Sequence, residues 1–93
     1  MKYFDWSSEK NKKLVVERDV CFEDIVVAIE DGRLLEVLIH ENQDKYQGQK
    51  IFIVDIAGYA YLVPFVEDDE KIFLKTIFPS RKATKKYILK IKD

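Results

Sequence analysis

The chain has 93 residues, 47% of them hydrophobic and 13% aromatic, with a net charge of -1. That is enough for a single domain, 1–93, with its own core, and leaves no room for a second. One Cys and one His exclude an internal disulfide and a clustered soft-ligand metal site, and no apolar run approaches the roughly 18 residues of a membrane span. The expectation is a soluble, cytoplasmic protein that uses neither metal nor cofactor.

Residues 5–18, DWSSEKNKKLVVER, predict a first helix, capped by Asp5 or Ser7, with Trp6, Lys10, Lys13 and Leu14 near one stripe. A second helix is clearer. Phe22, Ile25, Val26 and Ile29 recur at helical spacing, Glu23 and Asp24 sit in its first turn, and Gly32 comes after it as a stop. After Gly32 the periodicity changes to that of strands, over 34–39, 50–57, 59–66 and 71–78. The short connections at 57–58 (AG) and 67–70 (EDDE) make the last three strands an antiparallel meander, while 40–49 reads as a longer loop. Pro79 ends the last strand, Ser80 caps a final helix, and Ala83, Tyr87 and Ile91 give that helix one apolar edge. The fold class is therefore α+β, two N-terminal helices followed by an antiparallel four-stranded sheet and a C-terminal helix.

Charge is distributed unevenly along this plan. Residues 75–93 hold seven basic side chains and one acid, a balance of +6, against -7 for the rest of the chain. The density is greatest in FPSRKATKKYI, residues 78–88. Such asymmetry marks either a surface for an anionic partner or a solvated helix face. The acidic turn 67–70 lacks the ligand spacing of a calcium loop.

Several segments together carry a resemblance. Phe4-Asp5-Trp6 precedes a Lys/Asn-rich helix, V-x-F-E-D spans Val20 to Asp24, and S-R-K-A-T at 80–84 is followed by Tyr87. In this order they resemble the BrnT family, ribonuclease toxins of type II toxin-antitoxin pairs with a RelE-like fold. The resemblance runs from Phe4 to about Tyr87, and S-R-K-A-T is its most specific part. It implies an RNA substrate and a cognate antitoxin, DNA-binding and of ribbon-helix-helix type. The chain also departs from the family pattern. Glu17, Arg18 and Asp19 stand where K-H-G is usual, and Cys21 replaces a serine that would close a capping box with Asp24. Lys50 and Lys75 take the places of arginines, the latter provided that one residue is bulged.

Metal-independent RNA cleavage needs a base for the 2'-hydroxyl, donors for charge growing on the phosphoryl oxygens, and an acid for the leaving oxygen. Arg81, forked and permanently charged, suits the phosphoryl group. Lys75 is the candidate base if desolvated, and otherwise a strand-edge lysine with its head in water. Lys50 is a second phosphate ligand or an edge guard. Lys82, Lys85 and Lys86 are candidate RNA-binding cations, and Tyr59 and Tyr61 candidate stacking platforms or core aromatics. His40, the only histidine, sits in a polar loop beside Glu41 and reads as a surface residue. Two functions fit these residues, an endoribonuclease toxin or a non-catalytic module of the same fold that docks a DNA-binding antitoxin or another partner.

Overall fold

The computed structural model describes residues 2–39, 44–45 and 48–90. His40, Ile91 and Lys92 lie outside the described residues. The order is β1 (Tyr3–Trp6), α1 (Ser8–Arg18), α2 (Phe22–Glu30), β2 (Leu34–Ile39), β3 (Lys50–Ile56), β4 (Tyr59–Glu67), β5 (Lys71–Leu74), β6 (Phe78–Pro79) and α3 (Arg81–Ala83), which runs on as a π-helical segment, Thr84–Leu89. The class is α+β, but the sheet is mixed and six-stranded, ordered β1-β5-β4-β3-β2 with β6 also on β4.

Two corrections to the sequence reading explain the extra strands. The first helix starts later than Asp5 because residues 3–6 pair in parallel with β5, Tyr3 opposite Lys71 and Trp6 opposite Leu74. Ser7 is the cap, its hydroxyl accepting from the Lys10 N–H at 3.3 Å. Trp6, read as part of a helical stripe, instead stacks on Phe22 of α2 at 5.7 Å. The apolar spacing that suggested a helix is thus met by a short strand under α2.

The second correction lies at 71–78, which is two strands and not one. Phe65 of β4 faces Leu74, whereas Leu62 faces Phe78, so one extra residue is accommodated between Leu74 and Phe78. Pro64 explains the break. The Lys75 N–H donates to the Pro64 carbonyl at 2.8 Å, and because N and O of one strand residue point the same way, the missing N–H of Pro64 also faces this neighbour. The ladder cannot continue there and the chain bulges. Ile77 is fully buried in the gap, and its carbonyl accepts from Arg18 Nη1 at 2.5 Å.

Alternation along β3 and β4 builds two cores. Phe52, Val54, Val63 and Phe65 meet Leu14, Phe22, Ile25 and Ala28 of the two N-terminal helices. Phe52 and Phe65 stack at 3.9 Å. On the second face Ile53 and Ala60 meet Ala83, with Leu62, Tyr87 and Ile88 around them. Cys21 is the cap residue of α2, and the Asp24 carboxylate accepts from its N–H at 3.4 Å. The first helix adds a shorter bond at the same end: the Asn11 side-chain oxygen accepts from the Phe22 N–H at 2.8 Å. The hairpin predicted at 57–58 is present, with positive φ at both Ala57 (53°) and Gly58 (84°), the primed turn that suits twisted strands.

Candidate functional site

The S-R-K-A-T segment resolves into structural and solvent-facing residues. The Ser80 N–H donates to the Ala60 carbonyl at 2.9 Å, and the Ser80 hydroxyl caps the helix by accepting from the Ala83 N–H at 3.0 Å. The Thr84 hydroxyl is buried, accepting from the Ala60 N–H at 2.9 Å and donating to the Ser80 carbonyl at 2.7 Å. Ala83 is buried against the sheet, where a larger side chain would hold the helix away. Ser80, Ala83 and Thr84 therefore sew the C-terminal helix onto β4. Arg81 and Lys82 are left exposed.

The helix continues with Lys85 and Lys86, also exposed. Lys82 and Lys86 line an open groove of about 370 Å³ whose other walls are Leu38, Ile53, Leu62, Ser80, Ala83 and Tyr87. The Lys86 ammonium lies over the Tyr87 ring at 5.2 Å. Arg81 and Lys85, one position earlier in each turn, are outside this lining. Lys75 joins the same side. Leu74 is buried in the first core, and Lys75 comes next, beside Pro64, with its side chain in solvent. Among the described residues none of Lys75, Arg81, Lys82, Lys85 and Lys86 has an acidic partner.

The remaining predicted residues are elsewhere. Lys50 is opposite Phe65 and shares its face, that of α1 and α2. Its ammonium is paired with Glu67 at 2.8 Å, and Lys2 holds the other oxygen of that carboxylate at 2.9 Å. The hydrogen bond from Lys50, followed by that from Lys2, keeps the Glu67 carboxyl below the usual carboxylate range. Tyr61 packs against the first core, and the Tyr59 ring meets it edge-on at 6.0 Å. Lys50, Tyr59 and Tyr61 are thus separated by the sheet from Arg81 and its neighbours. Burial foremost pushes the Cys21 thiol up from its ordinary value, which disfavours the reactive thiolate.

Two features escaped the sequence reading. The groove forms only when the C-terminal helix lies across the sheet, and the only hint of it was the Lys82/Lys86 spacing. Arg18, noted only as a departure from the family pattern, anchors the bulge that carries Lys75. Compared with known proteins, the chain matches no family model, no curated protein and no solved structure.

Proposed function

We propose that this protein is the toxin of a type II toxin-antitoxin pair, an endoribonuclease that binds RNA through the basic face around the start of its C-terminal helix. The observation that carries the reading is the set of unpaired cations there, Lys75, Arg81, Lys82, Lys85 and Lys86, with no acidic partner among the described residues. Unpaired cations on one face supply phosphate contacts without first breaking an ion pair. Arg81 acts as the phosphoryl-stabilising group and Lys75 as a phosphate ligand. The role of base requires a desolvated lysine, and Lys75 stands in solvent. Lys50 has no part in this reading, being paired with Glu67 on the other face.

The test is induction of the protein alone, with growth and RNA integrity monitored. Growth arrest with RNA cleavage is expected, persisting in EDTA and abolished by Arg81→Ala in a protein that still unfolds cooperatively. Undiminished toxicity of a well-expressed Arg81→Ala variant would remove Arg81 from the mechanism.

A second reading is favoured by one specific observation. Among the described residues the only buried polar or charged side chain is Thr84, so the basic face offers stabilising cations but no buried acid or base beside them. A non-catalytic module that docks a partner through the same face fits that arrangement. Growth unaffected by induction, together with intact RNA, selects it.

A further inference from the structure

The groove beside the C-terminal helix opens onto β2, and among the described residues β2 is an edge of the sheet, paired only with β3. Edge strands are usually guarded by lysine, proline or a bulge placed where a new strand would pair. Here the bulge lies at the start, between Leu34 and Glu36. Beyond Glu36 the described edge is apolar: Val37 is 42% exposed, Leu38 39% and Ile39 69%. Leu38 belongs to both features, edge residue and groove wall. Among the described residues the outward N–H of Val37 has only the neighbouring Glu36 carboxylate as acceptor, at 3.1 Å, a bond that an incoming strand would replace with a backbone one.

We infer that this edge and groove bind an extended peptide segment of a partner protein that presents both apolar and acidic residues on one face, at every second position. Its backbone continues the sheet beyond β2. On the groove side its apolar side chains lie against Leu38 and Tyr87, and its carboxylates reach Lys82 and Lys86, which have no acidic partner among the described residues. Strand addition supplies affinity through main-chain hydrogen bonds, while the pockets for alternate side chains set specificity. RNA fits this groove less well. Its floor is aliphatic, and the one aromatic ring in its lining already has a lysine ammonium over it, whereas unpaired bases stack best on open aromatic or guanidinium planes. The inference does not depend on RNA cleavage, but Lys82 and Lys86 belong also to the RNA face proposed above, so a bound peptide and RNA compete for them. It has a consequence for the proposed toxin, because Lys82, which holds the peptide, is next to Arg81 in sequence.

The probe is a labelled synthetic peptide of repeating Leu-Thr-Glu-Thr, which puts Leu and Glu on one face of an extended chain, titrated into the full chain at low and physiological salt. A second peptide with Lys for every Glu and an oligoribonucleotide of equal charge are run in parallel. Saturable binding of the acidic peptide is expected, weakening with salt, together with slowed amide exchange at Val37 and Ile39. Lys82→Glu with Lys86→Glu should weaken it at least tenfold. Ile39→Pro, which removes an outward N–H that the free edge does not need, should abolish it while thermal unfolding stays cooperative. Equal binding of both peptides, no binding, or preferential shifts of Leu38 and Tyr87 by the oligoribonucleotide would each overturn the inference. If toxicity is lost in Arg81→Ala while peptide binding persists, the two sites are separate. If peptide binding fails while Arg81 remains essential, only the docking proposal falls.

Discussion

Arg18 Nη1 donates to the carbonyl of Ile77 at 2.5 Å, joining the last turn of α1 to the gap between β5 and β6. This carbonyl is left without a ladder partner by the bulge opposite Pro64, so the guanidinium completes a break that the strand itself created. Arg18→Ala is expected to destabilise the protein by about 1–2 kcal/mol, the usual effect of leaving an acceptor unpaired at a partly buried site. Urea denaturation checks it. An unchanged midpoint would mean that water replaces the guanidinium without cost.

Thr84→Val tests the seam between the C-terminal helix and β4. The exchange keeps the shape but removes the hydroxyl that serves both the Ala60 N–H and the Ser80 carbonyl. A loss of about 1–3 kcal/mol is expected, with Thr84→Ser close to the parent. If Val and Ser prove equally stable, the hydroxyl has no part in fixing the helix.

Ala57 occupies the left-handed region at φ 53° in the two-residue turn before β4. A side chain there costs more for alanine than for asparagine, and Asn-Gly is the preferred pair for this turn. Ala57→Asn should therefore stabilise the fold by about 1 kcal/mol, read as a higher Tm. A lower Tm would show that the turn relaxes in solution.

Glu67 links acidity to stability. Its carboxyl is held below the ordinary value, first by Lys50 and then by Lys2, so its contribution is fully present above the unfolded carboxylate range and is lost as pH falls through the depressed folded value. The pair is solvent-exposed and screened, which limits the effect to below about 1 kcal/mol. Stability curves of the parent and Glu67→Gln, measured from pH 6 downward, should converge at the acid end. Curves that stay parallel would locate the acid sensitivity in other carboxylates.

Much of the fold was legible in the sequence because α2, β3 and β4 repeat their apolar residues at one clear period. The ends were not. Tyr3–Trp6 is too short to show an alternation, and its pairing with β5 is a long-range contact with no local signature. The break after Leu74 depends on Pro64 in another strand, and the spacing of 71–78 alone could not reveal it. In the site, the basic character of the C-terminal segment could be read directly, but its partition could not. Ser80 and Thr84 turn inward because Ala60 presents them with backbone groups, and Lys50 leaves the cluster because its register opposite Phe65 puts it on the other face, where Glu67 of β4 pairs with it.

The parallel pairing of β1 with β5 also governs the order in which the sheet can assemble. Strand β1 has no hydrogen-bonded neighbour until the hairpins that contain β3, β4 and β5 exist, and closing so long a loop costs chain entropy before any contact repays it. The first residues of the sequence are then expected to dock last and to open first. Amide protons in Tyr3–Trp6 should exchange well before those in β3 and β4, giving the molecule a loosely held border beside a durable centre.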